Sequence, residues 1–412
     1  MGLEPPVPET SVLAVASHVV SGNVGNKIAV FTLQSMGCEV AALNTVQFSN
    51  HTGYRQWKGA RVSAQEITDL WDGLKQSYLD DFDMMLSGYV PGAAAVEAVG
   101  NIAKELRAKS TAASGKGRAG GRFFWVLDPV MGDNGKIYVA EDVVPAYRGL
   151  VPYADLILPN QFEAELLSDV KITDSASLEQ AIHVLHERYQ IPHIVITSVS
   201  LPLKGSQTPS VANSRAQSPV QSVPPSTKTM SVVGSSMTSA LKPRLFKIHF
   251  PVFDGYFSGT GDMFAALMVT RMREAVYQAD SATSSSAASS TSSSAATPSP
   301  GDKTPPPTTT TTTTTTLLRD TPSWLSPDSV DVLDLPLVKA AEKVLASMHE
   351  VLARTCASMV GEVERAVAAR GGPDKVDAQT LHLVRSRAAE LRLARNLECL
   401  RNPEIEYRAE KM

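Results

Sequence analysis

The first two hundred residues alternate between two hydrophobic periodicities, and that alternation limits the fold more than any other feature. VLAVAS, Val12 to Ser17, reads as a buried strand, and Val24 to Met36 as the helix that follows it. Glu39 to Leu43 reads as a short strand, and Ala64 to Leu79 sets Ile67, Leu70, Trp71 and Leu74 at helical spacing. MMLSGY, a helix over Ala93 to Leu106, FFWVLDPV, DLILPN, a helix over Leu178 to Tyr189 and HIVITS continue the series. Apolar strands interleaved with helices predict an α/β fold with a mostly parallel central sheet covered on both faces. Ligands in such folds bind beyond the carboxyl ends of the strands. Polar pairs gather at those ends: Ser17-His18, Ser87-Gly88-Tyr89, Asp128-Pro129, Pro159-Asn160 and Thr197-Ser198.

Two stretches break the alternation. Gly205 to Ser239 is rich in Ser, Pro and Thr, with a short strand signal at Met230 to Val233. Ala279 to Ser323 carries a Ser/Ala tract, three consecutive prolines and unbroken threonine from Thr308 to Thr316. Such composition buries too little apolar surface to offset the entropy of ordering, so both predict disorder. They contain Thr208-Pro209, Ser218-Pro219, Thr297-Pro298, Ser299-Pro300 and Thr304-Pro305, with Ser326-Pro327 just beyond. Proline-directed phosphorylation is one reading of those dipeptides, and tolerated surface insertion is the other. Leu337 to Thr355 and Val376 to Leu393 look helical again. The expectation is one folded domain over residues 10–410, interrupted by insertions at 205–239 and 279–323. The helix opened by GTGD needs the early strands to pack on, and the late helices give it a neighbour.

Composition closes off several functions. The chain has 412 residues, of which 43% are hydrophobic, enough for a sizeable core. A net charge of -4 with a pI near 6.1 offers no bulk attraction to nucleic acid or anionic membrane. No apolar run is long enough to span a bilayer, and MGLEPPVPET lacks the pattern of a secretion signal. Cys38, Cys356 and Cys399 lie too far apart for a metal knuckle or a disulfide framework. A cytoplasmic protein is expected, with the nucleus also open. His18, His51 and His249 show no metal-ligand spacing, and His183 and His186, three apart on a helix, read as satisfied or surface histidines.

Four stretches carry chemistry. In DGYFSGTGDMFAAL, Gly259 and Gly261 allow a tight turn and close approach to a ligand. The helix that opens there presents unpaired N–H groups and partial positive charge, an anion site suited to phosphate. Asp262 falls in its first turn. A glycine-rich turn with an acid favoured by the helix dipole accounts for the same letters, and no lysine follows to make a Walker loop. NTVQFSNHTGY, Asn44 to Tyr54, clusters amide, hydroxyl and imidazole groups around Phe48. That suits a pocket for a small polar aromatic, and equally a polar loop after a strand ending at Leu43. DPVMGD puts Asp128 at a strand end and Asp133 five residues later, hard oxygen donors for Mg²⁺ or a solvated turn. In LPNQFEAELL, Asn160 and Glu163 have the spacing of a capping box led by asparagine.

These stretches occur together and in order. SHVVSGNVGN, NTVQFSNHTGY, LSGY, DPVMGD, LPNQFEAELL, VITS, the GTGD helix and the terminal RNPEIEYRAE together resemble the pyridoxal kinases of the ribokinase-like superfamily. The likeness covers nearly all of the chain outside the two insertions. It implies a three-layer α/β sandwich and ATP-dependent phosphorylation of the 5′-hydroxymethyl of pyridoxal, with pyridoxine and pyridoxamine as further substrates, in vitamin B6 salvage. By the same likeness Asp262 is the catalytic aspartate, and Gly259, Thr260 and Gly261 form an anion hole. Ser17 bonds the pyridine ring, Val46 and Phe48 flank it, and Thr52 and Tyr89 add contacts. Asp128, Tyr138 and Asn160 lie near the nucleotide phosphates, and Asp133 and Glu163 assist Mg²⁺. Thr197, Ser198, Phe253, Asp254 and Gly255 face ATP. A homodimer and activation by K⁺ are implied as well. Leu158 stands where many animal relatives carry a hydroxyl residue near that cation, which removes a side-chain contribution.

Phosphoryl transfer needs positioning and charge stabilisation more than covalent help. Beside a helix N-terminus the Asp262 carboxylate is expected to stay ionised. It would then be a weak base that orients the alcohol and takes its proton late. The nearest alternative is a kinase for another hydroxymethylated ring such as hydroxymethylpyrimidine. An alternative of another class is a non-catalytic B6-binding scaffold.

Overall fold

A computed structural model describes residues 7–113, 121–201, 229–253, 255–291 and 316–412. Strand β1, Ser11–Val19, organises the sheet. Its Val12 and Ala14 face one core while Leu13 and Val15 face the other, following the two-residue repeat of an extended chain. Then come α1 (Gly25–Ser35), β2 (Glu39–Phe48), β3 (Gly59–Arg61), α2 (Ala64–Gln76), β4 (Met84–Ser87), α3 (Ala93–Ala113) and β5 (Phe124–Leu127). A hairpin of β6 (Gly132–Asp133) and β7 (Lys136–Ile137) leads to α4 (Val143–Leu150), β8 (Leu156–Ile157), α5 (Gln161–Ser168), α6 (Ser175–Tyr189) and β9 (His193–Val199). The chain continues through β10 (Thr229–Met237), β11 (Pro243–Pro251), α7 (Thr260–Thr291), α8 (Pro336–Ala368), α9 (Ala378–Ala388), α10 (Leu397–Arg401) and β12 (Ala409–Lys411).

Among the described residues, ten strands form one sheet in the order β12-β11-β10-β9-β8-β5-β4-β1-β2-β3. The run from β9 to β2 is parallel, and antiparallel strands flank it at both edges. Helices α1, α7 and α8 cover one face, where Val12, Ala14, Phe124 and Val126 meet Met263, Leu267 and Val344. The other face packs Leu13, Val15, Trp125 and Leu127 against α2 to α6. The three-layer α/β architecture expected from the alternation is therefore the observed one. No helix among the described residues is long and apolar enough to cross a membrane.

Several expectations need correction. Strand β2 runs on through Asn44 to Phe48 instead of ending at Leu43, because it turns back to pair antiparallel with β3 at the sheet edge. An edge strand with one solvated face tolerates the polar residues that read as loop. Within the span expected as an insertion at 205–239, Thr229 to Met237 is a strand held between β9 and β11, with Val232 and Val233 buried. At the 279–323 span, α7 continues to Thr291. Buried Asp280 accepts hydrogen bonds from the Leu318 amide at 2.5 Å and Arg319 Nε at 2.8 Å, fixing the returning chain. Trp324, just past that span, stacks on Phe124 with ring centroids 4.3 Å apart. Ser326 is only 7% exposed, which argues against its modification. The other Ser/Thr-Pro dipeptides lie outside the described residues. Leu70, expected on the apolar face of α2, is 55% exposed.

Candidate active site

The site forms where the carboxyl ends of the parallel strands meet the tip of α7. From Met263 to Val269 that helix is buried, so its axis is set by the core and its first turn is set with it. Gly259 precedes the helix with φ +82°, and a Cβ there would lie 2.1 Å from the Asn23 carbonyl oxygen. Only glycine lets the turn approach the β1–α1 loop so closely.

Gly25 is the centre of the constellation. It has φ +54°, and a Cβ on it would lie 2.3 Å from Ser17 Oγ. Its N–H donates to the Asp262 carboxylate. Ser17 and Asp262, 245 positions apart by their numbers (262 − 17), thus meet across one backbone unit. Gly88 closes a second side, where a Cβ would lie 3.8 Å from Asp262 Oδ1. Gly261 approaches Asp128, whose Oδ2 would lie 4.0 Å from a Cβ on that glycine. Sequence reasoning placed Gly88 only at a strand end and did not single out Gly25, since an isolated glycine signals no more than a turn.

Burial sets the electrostatics. Desolvation pushes the Asp262 carboxyl above its usual range, and the Gly25 N–H only partly offsets it. Loss of water thus acts against the helix dipole that is expected to keep this carboxylate ionised. Asp128 is buried and raised well above the usual carboxylate range, first by desolvation and then by the charges of Glu163 and Asp262. Glu163 is raised to about 7, mainly by desolvation, against hydrogen bonds from three backbone amides.

Glu163 and Asn160 form a capping box at the start of α5. Glu163 Oε1 accepts from the amides of Met131 at 2.8 Å and Gly132 at 3.3 Å, and Oε2 from the Asn160 amide at 2.9 Å. Asn160 Nδ2 donates to the Gly132 carbonyl at 2.7 Å. This knot joins α5 to the β5–β6 loop. Asp133 stays exposed and accepts from the Asn134 amide at 2.8 Å, as a solvated turn would have it. Asn134 and Gly135 both have positive φ and close the β6–β7 hairpin. That Asn-Gly pair was a missed sequence signal. Tyr138 follows the hairpin and is 58% exposed above the acids. Among the described residues no three Asp, Glu, His or Cys side chains converge as a metal cage. Buried carboxyls that repel one another still suit a hard cation completed by phosphate and water.

Val46 and Phe48 are buried in a small apolar cluster with Val19 and Val24, and Tyr89 packs against it. Thr45 Oγ1 donates to the Tyr89 carbonyl at 2.7 Å. Thr52 is exposed and starts a 3₁₀ turn, Thr52–Tyr54, outside that cluster. Thr197 and Ser198 are half-buried at the end of β9, where the Thr197 amide donates to the Pro159 carbonyl at 3.0 Å. The Phe253 ring lies 4.9 Å from that of His349. Gly255 is exposed with φ +147°, and Asp254 lies outside the described residues. Leu158 is buried in the core, and its side chain offers no oxygen to a cation, which leaves only backbone carbonyls for K⁺.

A family model described as phosphomethylpyrimidine kinase matches residues 116–298. The pyridoxal kinase of Ovis aries is 37% identical, over 63% of this chain and 77% of that protein. This chain belongs to the pyridoxal kinase family. The pyridoxal kinase of Homo sapiens is 36% identical over the same shares of the two chains. Among solved structures, the pyridoxal kinase of Leishmania donovani in complex with ADP and pyridoxamine superimposes with a TM-score of 0.64 and 25% identity. That match covers 98% of this chain and 99% of the other. The ribokinase-like sandwich and the kinase class expected from the motifs thus stand on independent likenesses.

Proposed function

We propose that this kinase transfers the γ-phosphoryl group of ATP to the 5′-hydroxymethyl oxygen of pyridoxal, and of pyridoxine and pyridoxamine, to give the 5′-phosphates. The observation that carries the reading is the meeting of Ser17, Asp262 and the α7 tip at Gly25. Ser17 would hydrogen-bond the ring, with Val46, Phe48 and Tyr89 as its apolar walls and Thr52 at the rim. The Gly259–Gly261 amides would receive the phosphoryl oxygens at the positive end of the helix. As the new O–P bond forms, the hydroxyl proton passes to an Asp262 carboxylate oxygen, and the old P–O electron pair leaves with ADP. A pKa raised by burial makes Asp262 a better base than the dipole alone would allow.

Asp128, Tyr138 and Asn160 would lie along the nucleotide phosphates, and Thr197, Ser198, Phe253, Asp254 and Gly255 along the rest of ATP. Mg²⁺ would neutralise phosphate charge when bound, held in part by Asp133 and Glu163, largely through water. Glu163, with backbone donors on both oxygens, is better suited to orienting the loop than to direct ligation. A K⁺ site fits less well, because Leu158 supplies no side-chain oxygen. A homodimer is the family expectation, and Leu70 in the middle of α2 and Tyr78 and Leu79 just beyond it are exposed apolar side chains for it to cover. Three free buried cysteines suit a reducing compartment such as the cytosol.

The relatives favour pyridoxal over hydroxymethylpyrimidine as acceptor. The test is ATP-dependent formation of pyridoxal 5′-phosphate by purified protein, followed by absorbance, with hydroxymethylpyrimidine as competitor and with and without K⁺. Absence of phosphorylated pyridoxal would overturn the reading.

A further inference from the structure

The Thr52–Tyr54 turn buries none of its residues. Beyond Tyr54 lies an open cavity of about 650 Å³ bordered by Arg365, Arg370 and Arg387, so apolar packing does not hold this part of the pocket rim. One carboxylate does. Glu390, just past the end of α9, accepts at Oε1 from Tyr54 Oη at 3.0 Å and faces His51 Nε2 at 3.0 Å. Its Oε2 accepts from the Asn23 amide at 2.8 Å. Asn23 Nδ2 donates to the neighbouring Leu391 carbonyl at 2.7 Å. The carbonyl of the same Asn23 is the group that abuts Gly259. His382 of α9 adds a bond from Nε2 to the Gly53 carbonyl at 3.0 Å.

The two loops also touch directly. A Cβ on Gly53 would lie 2.8 Å from His51 Nδ1 and 3.3 Å from Ser258 Oγ, and Ser258 precedes the anion hole. Burial alone would raise the Glu390 carboxyl, but His51, the Asn23 amide and Tyr54 together hold it below its usual range. Charge-assisted bonds of this kind are short and strong enough to help fix a turn that buries none of its residues.

We propose that Glu390 is a positioning residue that locks the vitamer loop, through His51 and Tyr54, to the phosphate loop, through Asn23. The inference rests on the reading of the site given above. Glu390 touches no reacting atom in this arrangement. Its loss would let the ring and the γ-phosphoryl group drift out of line.

The test is Glu390→Ala, read as pyridoxal and ADP dissociation constants by calorimetry together with steady-state kinetics. Misplacement near an ångström can cost about a hundredfold, so kcat/KM for pyridoxal should fall by that order, with ADP affinity held within about twofold. In a His51→Ala, Tyr54→Phe background, whose loop has already lost the tie, Glu390→Ala should cost no more than about threefold. A full additive loss in that background overturns the proposal, as does unchanged pyridoxal binding in the single variant. Should the alanine variant not fold, Glu390→Gln keeps the shape but leaves one acceptor oxygen where the carboxylate has two, so it no longer accepts from both the Asn23 N–H and the His51–Tyr54 side. It should still weaken pyridoxal at least about threefold, and no change in its pyridoxal binding overturns the proposal. Failure of the functional reading looks different: the unmutated protein would then form no pyridoxal 5′-phosphate at all.

Discussion

The two ends of the site are held by different physics. At the phosphate end, Gly259 to Asp262 open a helix whose next seven residues are buried, so the anion hole inherits the rigidity of the core. At the vitamer end, β2 and β3 form an edge ribbon joined through a turn with no buried residue, tied back through hydrogen bonds to Glu390 and His382. Apolar packing is non-directional and costs much to disturb. Polar ties are few, directional and individually breakable. On the proposed reading, the group being transferred is gripped by a rigid frame, while the ring, whose 4′ substituent differs among vitamers, is gripped by a rim that can adjust.

Substitutions can break that contrast. The largest effect is expected at Asp262. Asp262→Asn keeps shape and removes the proton acceptor, so kcat should drop by about 10² to 10⁴ while ADP binds as before. Near-normal kcat in the purified variant would remove Asp262 from the mechanism. Gly259→Ala should follow, because its Cβ would meet the Asn23 carbonyl at 2.1 Å and φ +82° is strained for alanine. The turn must shift by a sizeable fraction of an ångström, so a loss of about a hundredfold in kcat/KM is expected. Thermal melts of the same variant locate the damage: a small change in melting temperature means that the loop moved and the core did not.

Legibility in the sequence follows the same division. The phosphate end could be read because its signal is local: glycines, an acid and an apolar helix within fourteen residues, Asp254 to Leu267. The alternating strands and helices were readable for the same reason. The assembly around Gly25 was not, since Ser17, Gly25, Gly88, Asp128 and Asp262 are far apart in sequence and meet only through sheet order. Glu390 was less legible still. Nothing in AAELRLARN distinguishes a clamp from a surface acid until His51 and Tyr54 are seen beside it. Ser/Thr-rich composition also hid structure: Thr229 to Met237 alternates weakly, yet neighbours on both sides recruit it into the sheet.

A stability comparison sharpens the contrast. Leu267→Ala deletes fully buried atoms from α7, and such changes cost about 2 to 5 kcal/mol. Tyr54→Phe removes one hydroxyl from a half-buried rim residue, so its stability cost should stay within about 1 kcal/mol. Chemical denaturation measures both. Equal costs would show that the rim is as much a part of the cooperative core as the helix tip.

The smallest effect separates two accounts of the phosphate end itself. The helix dipole alone would leave Asp262 ionised down to or below its ordinary value of 3.8, whereas desolvation places its pKa above that value. The base works only when ionised, so kcat/KM should rise as pH climbs through the raised pKa and lie on its plateau above it. An acid limb of the pH–rate profile above the ordinary aspartate range therefore supports control by burial. A limb at or below that range would mean that the dipole and the Gly25 N–H prevail. Tyr54→Phe supplies the control from the other end of the site. Tyr54 bonds Glu390 and not Asp262, so its loss should lower the plateau and leave the limb where it was. A limb that moved with Tyr54 would mean that the rim sets the water content around the base, and the two ends would no longer be independent.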